Sequence, residues 1–434
     1  MADTIVPQAR TPLGRPGIGA RAAALAVLWL GRRIRHGSII VVDGSGEHRL
    51  GSGSPTVRVT VHDPRAFAVL MASGSVGLGT SYVDGWWDCD DLTTLVQLLE
   101  RNLAGVNAVN DHIGRVLAPL CAPLHRFSAT DKPRDRRNIR AHYDLGNQFF
   151  ELMLDETMAY SCALFADTTV TLAQASTAKL DRICTKLDLG PDDHVVEIGS
   201  GWGSFAVHAA AHFGCRVTTT TISDAQYEYT AKRVVDAGLA DRVTVCNEDY
   251  RDLAGVYDKL VSIETIEAVG WRQLGTFFAT CAALIRPDGL MALQAIVIDD
   301  RSYQRAKGRD DLVKRLVFPG GFLPSIEAIS RSITSRSDLR IVDLEDIGRH
   351  YAETLRRWRA NIDAHARDID ALGLGEAFSR LWRMYLCYCE AAFLERHVSD
   401  VQIVLARAGW RGSLGVGTLR PEGSPSSGRP NGSQ

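Results

Sequence analysis

The chain has 434 residues and a mass of 47.4 kDa, which is long enough for two or three domains with a sizeable core. Its 49 lysines and arginines nearly balance its 51 aspartates and glutamates, so the formal net charge is −2. This balance excludes the overall basic excess of a dedicated nucleic-acid-binding protein. With 45% hydrophobic and 23% charged residues, the composition is that of a folded globular protein, neither disordered nor membrane-spanning.

The first 36 residues carry six arginines against a single acid, Asp3, around a short apolar run at 22–30. Such a run is too short to cross a bilayer core, which takes about 20 helical residues. A secretory signal is also disfavoured, because arginines follow the run where a cleavage site needs small residues. Two hypotheses stay open: a basic amphipathic helix at an anionic membrane surface, or an ordinary core helix.

Turn-forming and basic segments divide the rest of the chain. Two strand-like runs, 38–42 and 56–61, flank a stretch rich in Gly and Ser, and residues 66–124 are mainly helical in pattern. The basic residues at 126–141, which are interrupted by proline, suggest a linker between domains. The segment at 413–434 is rich in Pro, Gly and Ser, which suggests disorder. The predicted divisions are a basic segment at 1–36, a small α+β domain at 37–125, a basic linker at 126–141, a larger domain at 142–412 and a disordered tail at 413–434.

The cysteines and histidines give no metal or disulfide pattern. Nine cysteines are scattered without the paired spacing of a disulfide framework or a zinc site, which indicates a reducing environment. His208 and His212 stand one helical turn apart, a spacing that can hold zinc, but no third ligand is near them in the sequence. We therefore predict no metal site.

From about residue 176 strands and helices alternate, which is typical of an open α/β sheet. The strand at 194–198 runs into a turn that contains Gly199, Gly201 and Gly203, and a helix with a small, apolar face follows. Such a turn lets the backbone approach a ligand at the carboxyl end of the sheet. The sequence thus predicts a cofactor site at this turn.

Two classes of cofactor compete for the turn. A dinucleotide fingerprint needs a third glycine where Ser204 stands, and an acid after the second strand, which ends in threonines up to Thr221. The acids lie elsewhere, as Glu197 in the first strand and Asp249 after the third. This arrangement suits S-adenosylmethionine (SAM), with Asp249 accepting the adenine amino group. The predicted SAM-binding residues are Tyr160, Ser161, Glu197, Gly199, Gly201, Trp202, Gly203, Thr221, Gln226, Asp249 and Tyr250.

Five longer motifs occur between residues 142 and 325. They are HYDLGN at 142–147, DETMAYSCA at 155–163, VEIGSGWG at 196–203, EDYRD at 248–252 and FPGGFLPS at 318–325. Together they resemble the cyclopropane-fatty-acyl-phospholipid synthase family over residues 136–410. SYVDGWWD at 81–88 resembles the N-terminal, lipid-interacting domain of its longer members. The resemblance implies a Rossmann-like, seven-stranded class I SAM-dependent methyltransferase, with a helical cover from about 300 to 395 around an acyl chain.

The family transfers a one-carbon unit from SAM to the cis double bond of an acyl chain in a membrane phospholipid. An alkene is a weak nucleophile, so the sulfonium must be held close and aligned in a dry pocket. Methylation leaves a carbocation that must lose a proton, and the resemblance implies that bound bicarbonate takes it. The residues matched to the bicarbonate site are Cys162 and Ile296, through their backbones, and Glu267, Gln294 and Tyr351.

Two positions depart from the family pattern. Gln294 stands where the family has a histidine, and it can donate a hydrogen bond but cannot carry a proton as imidazole does. Ala268 replaces the histidine of the family's Glu-His pair. Both features, with YAETL at 351–355, resemble the branch that makes mid-chain methyl or methylene fatty acids of the tuberculostearic type. Cyclopropane and methylene products both stay open. Glu264 is interpreted as stabilising a helix start.

The resemblance also sets the expected partners and the rival functions. We expect an unsaturated acyl phospholipid at a bilayer surface, on the cytoplasmic face of the inner membrane, and a partner reductase for a methylene product. A homodimer is left open, and nucleic acid is not expected. The rivals are a SAM-dependent methyltransferase of polar small molecules, which the residues matched to bicarbonate argue against, and a non-enzymatic lipid carrier, which would leave the SAM turn idle.

Overall fold

The structure is a computed structural model that describes residues 18–102 and 146–412. The predicted linker at 126–141 and the predicted disordered tail at 413–434 lie outside the described residues. The same holds for the first half of the predicted basic segment and for most of the HYDLGN motif. Two sheets, one of four strands and one of seven, organise the described residues.

The N-terminal part folds around the four-stranded sheet. Its elements are α1 (Ile18–Gly31), β1 (Gly37–Asp43), β2 (Gly46–Ser52), β3 (Thr56–Val61), α2 (Arg65–Val83), β4 (Trp87–Cys89) and α3 (92–102). The strand order is β2-β1-β3-β4, in which β1 and β3 are parallel and the other pairs antiparallel. The two predicted strands correspond to β1 and β3. The sequence does not predict β2, because Leu50 is its only buried residue.

Helix α1 packs on this small domain with one face. Ala23 is buried in its core, and a Cβ atom at Gly31 would lie 2.5 Å from the Leu50 side chain. The other face leaves Leu25 and Trp29 exposed. The described part of the predicted basic segment therefore belongs to the N-terminal domain and still presents an apolar face to solvent.

Helix α2 is the one helix among the described residues that is long and apolar enough to span a membrane, by length and composition alone. It is not straight, because Gly74 has φ 54° and ψ −127° in its middle. The two halves pack closely, and a Cβ atom at Gly77 would lie 2.1 Å from the Val69 carbonyl oxygen. The second half contacts the larger domain, where a Cβ atom at Gly79 would come within 2.4 Å of the Leu312 side chain. In this structure α2 is a kinked helix between two domains.

The larger domain is built on the seven-stranded sheet. Its strands are β5 (His194–Ile198), β6 (Arg216–Thr221), β7 (Val243–Asn247), β8 (Tyr257–Ile263), β9 (Ile285–Ile298), β10 (Arg340–Asp346) and β11 (Val398–Ala406). The order is β10-β11-β9-β8-β5-β6-β7, and β11 is antiparallel to both of its neighbours while the other pairs are parallel. This topology confirms the predicted Rossmann-like fold with seven strands.

Helices cover both faces of this sheet. They are α4 (Gly146–Met153), α5 (Leu172–Lys186), α6 (Ser204–His208), α7 (Asp224–Asp236), α8 (Ile266–Val269), α9 (Leu274–Leu284), α10 (Asp300–Ala306), α11 (Leu312–Leu316), α12 (Ile326–Arg336), α13 (Gly348–Ala364), α14 (Ala366–Ala371) and α15 (Gly375–Leu394). Strand β5 is buried on both sides except at His194, as expected for a central parallel strand. Helix α5 begins with a capping box in which Thr171 and Gln174 satisfy each other's backbone N–H groups.

The predicted helical cover at about 300–395 is in part a piece of the sheet. Strand β10 pairs with β11 at the sheet edge, and α12 buries Ile329 and Ile333 in the same core as α9. The cover itself consists of α10 and α11 before these elements and α13, α14 and α15 after them. The prediction missed β10 because none of its seven residues is buried: five are exposed and two are half-buried.

The N-terminal domain and the cover are joined by a shared core. Leu312 and Met384 of the larger domain are buried in the same cluster as Tyr82. Beside this cluster, the Arg380 guanidinium donates hydrogen bonds to the carbonyl oxygens of Tyr82 and Trp87, at 2.6 and 2.8 Å, and lies 4.0 Å from the Tyr82 ring centroid. The SYVDGWWD motif is therefore the place where the two domains meet.

Candidate active site

The glycine-rich turn links β5 to α6 at the carboxyl end of the sheet. Gly199, Gly201 and Gly203 all have positive φ, at 91°, 50° and 81°, which L-residues rarely adopt. The N–H groups of Gly199 and Ser200 both donate to the Thr220 carbonyl oxygen on β6, at 3.0 and 2.9 Å. A Cβ atom at Gly199 would lie 2.2 Å from Thr265 Oγ1. The turn is thus held tightly between β6 and the segment after β8.

A cavity of about 440 Å³ lies above this turn. Ten of the eleven predicted SAM-binding residues line it: Tyr160, Ser161, Glu197, Gly199, Gly201, Trp202, Thr221, Gln226, Asp249 and Tyr250. The eleventh, Gly203, does not line the cavity and serves the turn through its positive φ. The structure therefore brings together residues that lie up to 90 positions apart at one concave site.

Several lining side chains are fixed by their own hydrogen bonds. Trp202 Nε1 donates to Asn147 Oδ1 at 2.9 Å, and the Thr221 hydroxyl donates to Gln226 Oε1 at 2.9 Å. Asp249 accepts two hydrogen bonds from the Arg251 guanidinium, which hold the pKa of its carboxyl below the usual range. Asp249 is therefore a carboxylate that can still accept a ligand N–H through its remaining lone pairs.

Glu197 differs from Asp249 because it is buried at the floor of the cavity. The Thr219 hydroxyl donates to its carboxyl at 2.6 Å. Burial raises the pKa of Glu197 to about 8, although the bond from Thr219 and the charge of Lys179 oppose this effect. At neutral pH Glu197 is therefore mostly protonated.

At the edge of the cavity, three of the residues matched to the bicarbonate site converge on a different group, the Glu264 carboxylate. The Cys162 backbone N–H and Gln294 Nε2 donate to Glu264 Oε1 at 2.8 and 2.7 Å. The Tyr351 hydroxyl donates to Glu264 Oε2 at 2.6 Å. The other two matched residues form a separate pair, in which the Ile296 N–H donates to Glu267 Oε1 at 2.6 Å.

These contacts leave a bound bicarbonate few free donors. The N–H groups of Cys162, Gln294 and Ile296 and the Tyr351 hydroxyl already donate to carboxyl groups of the protein, whereas Glu267 Oε2 is buried without a hydrogen-bond partner. A second anion would meet Glu264 at close range inside a buried site, where like charges repel strongly. Bound bicarbonate therefore stays a prediction for this chain, at a place where most of the matched donors already hold a protein carboxylate. The interpretation of Glu264 as a residue that only stabilises a helix start does not account for these contacts.

Gln294 is locked in place within this cluster. Its side-chain nitrogen donates to Glu264 and also to Asp400 Oδ2 at 3.0 Å, and its side-chain oxygen accepts from Gln402 Nε2 at 3.1 Å. Gln294 is 1% exposed, so each of these bonds compensates a buried polar atom. Its role is to hold carboxyl groups rather than to carry protons.

The remaining acids of the cluster are driven towards their neutral forms. Burial, followed by the charge of Glu264, raises the pKa of Glu267 to about 8. Burial and the same charge raise the pKa of Asp400 well above its usual range. Burial likewise raises the pKa of the Cys162 thiol, so Cys162 contributes through its backbone N–H and not as a thiolate.

Sequence reasoning missed Lys179, Glu264 and Asp400. Lys179 lines the cavity, is 1% exposed and donates through Nζ to Ser161 Oγ at 2.7 Å. Its signal in the sequence is a lysine spaced four residues from Ala175 and from Ile183 on the buried face of α5. For Asp400, the signal is an acid near the start of a mainly apolar strand.

An aromatic cluster adjoins Glu264 and the cavity. Tyr351 stacks on Phe393 with 4.5 Å between ring centroids, and Tyr160 lies 5.0 Å from Trp358 by the same measure. The hydroxyl groups of Tyr160 and Tyr385 are 3.1 Å apart. Tyr160 lines the cavity as well, so the cavity wall is continuous with a buried aromatic region.

The histidine pair has an ordinary structural environment. His208 Nε2 lies 2.7 Å from Asp181 Oδ1, and its ring packs against that of His212 with 4.6 Å between centroids. Within residues 18–102 and 146–412 no group of three or more His, Cys, Asp or Glu side chains could hold a metal ion.

Comparison with known proteins places the chain in a family. The family model described as mycolic acid cyclopropane synthetase matches residues 130–403. The chain belongs to this family. Tuberculostearic acid methyltransferase UfaA1 of Mycobacterium tuberculosis is 36% identical over 411 residues, which cover 92% of this chain and 95% of the relative. The cyclopropane-fatty-acyl-phospholipid synthase of Escherichia coli is 35% identical over 357 residues, covering 82% and 89% of the two chains.

Solved structures agree with this assignment. Mycolic acid cyclopropane synthase CmaA1, crystallised with S-adenosylhomocysteine (SAH) and CTAB, aligns with a TM-score of 0.57 and 28% identity, over 62% of this chain and 97% of that one. The cyclopropane synthase MmaA2 of Mycobacterium tuberculosis aligns with the same TM-score and identity over 64% and 99%. The enzyme is therefore a SAM-dependent methyltransferase of the lipid-modifying cyclopropane synthase type.

The glycine turn provides a test of the predicted SAM site. Gly199→Ala should weaken SAH binding at least tenfold in isothermal titration calorimetry, because the new Cβ atom would collide with Thr265 and displace the turn. Gly238→Ala is the matched control. Gly238 also has positive φ, at 68°, but no heavy atom lies within 4 Å of its Cβ position. Both variants carry the backbone cost of about 1 kcal/mol, so equal SAH affinities would contradict the assignment.

The buried acids predict a pH-dependent stability. Because the pKa values of Glu197 and Glu267 rise to about 8 in the folded state, the folded protein binds more protons than the unfolded chain between about pH 4.5 and 8. The free energy of unfolding should therefore fall as the pH rises through this window. Urea unfolding at pH 5.5 to 8 should show a smaller fall for Glu267→Gln, which cannot titrate. Glu228→Gln, at an exposed position of α7, should keep the original slope.

Proposed function

We propose that the enzyme methylates the cis double bond of an unsaturated acyl chain in a membrane phospholipid and gives a mid-chain methylene branch. The observation that carries this proposal is that the cavity adjoins a buried aromatic region. Tyr160 belongs to both, and Glu264 lines the cavity and accepts a hydrogen bond from Tyr351 of that region. An acyl chain is apolar, and its methylation creates a cation that needs ring faces around it and a carboxylate nearby. A polar substrate would lose its contacts with water in these surroundings and gain few hydrogen bonds in return.

The chain's own residues have distinct tasks in this reaction. SAM supplies the methyl group as an electrophilic sulfonium. The glycine turn and Asp249 orient the cofactor, and Trp202, fixed by Asn147, closes one wall of the cavity. The aromatic cluster around Trp358, which is fully buried, excludes water that would otherwise capture the cation.

The product assignment follows the more similar relative and the site. UfaA1, by its name a tuberculostearic acid methyltransferase, shares the greater coverage with this chain. The enzyme has Gln294 at the family's histidine position, as expected for the mid-chain branch. A methylene branch becomes a methyl branch only by addition of two electrons and two protons. A methyl-branched end product therefore requires a partner reductase. A cyclopropane ring, the product named for the Escherichia coli relative, is the second candidate.

The direct test of this function uses the full chain, SAM and vesicles that contain an oleoyl phospholipid. The expected product is an oleoyl chain with one added carbon, which fragmentation mass spectrometry assigns to a methylene branch. A cyclopropane product would support the lipid substrate and change the product assignment. The matched control is a phospholipid with two saturated chains, which should stay unmodified. Methylation of polar amines with both lipids unchanged would contradict the proposal.

We also propose that α1 brings the enzyme to an anionic membrane surface. Arg21, Leu25 and Trp29 follow one another at four-residue intervals, so they share one helix face, and all three are exposed. The Arg33 guanidinium lies 4.4 Å above the Trp29 ring. Aromatic and aliphatic side chains flanked by arginines are typical of helices that lie in the headgroup region.

The membrane proposal predicts the behaviour of a double variant. Leu25→Ser with Trp29→Ser should reduce binding to vesicles of phosphatidylglycerol and phosphatidylcholine at least tenfold, since each buried apolar side chain contributes about 1.5–3 kcal/mol. Val235→Ser, which removes an exposed apolar side chain from α7, is the matched control. Vesicle co-sedimentation measures both, and undiminished binding of the double variant would exclude α1 as the contact.

A further inference from the structure

Glu264 is the residue that connects the SAM cavity to the buried acid cluster. It lines the cavity, and it also accepts hydrogen bonds from Cys162, Gln294 and Tyr351. Among the five residues matched to the bicarbonate site, none lines the cavity. A group that removes a proton from a newly methylated substrate must lie on the cavity side of the cluster, and Glu264 meets this requirement.

The backbone holds Glu264 in an uncommon conformation that directs it to this place. Its φ is +47°, which a residue with a side chain adopts rarely and only at a cost in backbone strain. Its N–H donates to the Gln294 carbonyl oxygen at 2.8 Å, which extends the β8–β9 ladder by one bond. The next residue, Thr265, contacts the glycine turn at Gly199. Glu264 thus stands between the cofactor turn and the buried acid cluster.

The hydrogen bonds to Glu264 are those that a carboxylate accepts. Both of its oxygens accept hydrogen bonds, as those of an ionised carboxylate do. Burial raises the pKa of Asp400 well above its usual range and that of Glu267 to about 8, so both neighbours favour their neutral forms more than exposed carboxyl groups do. Lys179, buried at the cavity wall, interacts with the charge of Glu264, which partly offsets the lowering of the lysine pKa by burial.

We propose that the Glu264 carboxylate is the base that deprotonates the methylated acyl chain, in the place where the family resemblance implies bicarbonate. This inference rests on the proposed function and deepens it. The two roles are chemically equivalent, since bicarbonate and a glutamate side chain both accept a proton on a carboxylate-type oxygen. The difference is that Glu264 is part of the chain, so the enzyme needs no dissolved carbonate.

The proposed reaction consists of methyl transfer, formation of a cation and loss of a proton to Glu264. The alkene π pair forms the new C–C bond, the C–S bond breaks with its pair left on sulfur, and the neighbouring carbon becomes cationic. For a methylene product, a hydride shifts from the methylated carbon to that cation and leaves the charge on the branched carbon. Glu264 then takes a proton from the added methyl group, and the freed C–H pair forms the exocyclic double bond. For a ring, the same pair closes the third C–C bond without the hydride shift.

Turnover in carbonate-free buffer tests this inference. The full chain with SAM and oleoyl phospholipid vesicles should turn over equally well in buffer purged of carbon dioxide and in buffer with added bicarbonate. Glu264→Gln, which keeps the size of the side chain but not the base, should lose at least a hundredfold in kcat. Glu264→Gly, which opens space for an anion, should regain part of its turnover when bicarbonate or formate is added.

Two further measurements separate catalysis from folding. SAH affinity and urea unfolding of Glu264→Gln should show that the variant folds and binds its cofactor. With SAM carrying a trideuterated methyl group, the product should retain two deuterons, and Glu264→Asp should show a larger kinetic isotope effect than the unaltered enzyme because its base stands farther from the methyl group. A merely structural role would lower turnover without changing the isotope effect.

The outcomes distinguish this inference from the function on which it rests. An enzyme that is active only with added bicarbonate would overturn the role of Glu264 and leave the proposed function intact. The same conclusion would follow if Glu264→Gln kept its turnover, or if Glu264→Asp left the isotope effect unchanged. An unaltered enzyme without activity on any unsaturated phospholipid, in either buffer, would overturn the proposed function and this inference together.

Discussion

The candidate site depends on one constraint, the burial of several acidic side chains around a single anion. Glu264, Glu267 and Asp400 lie close enough for their charges to interact, and water does not reach Glu267 or Asp400 to solvate them. The raised pKa values of Glu267 and Asp400 lessen this conflict, and three hydrogen-bond donors hold Glu264. The cluster therefore fixes the Glu264 carboxyl group at a defined place, which is what a reaction with a cationic intermediate requires.

The elements that supply this cluster come from distant parts of the chain, so the fold must be complete before the site exists. Cys162 precedes the sheet, Gln294 and Asp400 lie on the paired strands β9 and β11, and Tyr351 lies on α13 of the cover. Because the cover also shares a core with the N-terminal domain, the small domain supports the wall of the active site. The same domain carries the exposed face of α1, which joins the proposed membrane contact to the catalytic domain through packed structure.

Sequence patterns predict those parts of this molecule whose conformation is set by residues close together in the chain. Strand β5 and the glycine turn follow from an apolar run and from residues that tolerate positive φ, and the prediction places β5 at its observed bounds. Strands β2 and β10 escape prediction because exposed edge strands lack the alternation that burial imposes. The role of Glu264 also escapes prediction, because its partners lie 30 to 102 residues away and its conformation at φ +47° leaves no sequence signal.

The presence of Gln294 at the family's histidine position is explained by its contact with Glu264. A neutral imidazole has one N–H, whereas the Gln294 amide has two N–H donors and an acceptor, and all three are used, by Glu264, Asp400 and Gln402. In a site that needed a side chain to carry a proton, replacing histidine by glutamine would remove this function. In a site where the base is a fixed carboxylate, the amide supplies the hydrogen bonds that hold this base in position, and its inability to take up a proton keeps the transferred proton on Glu264.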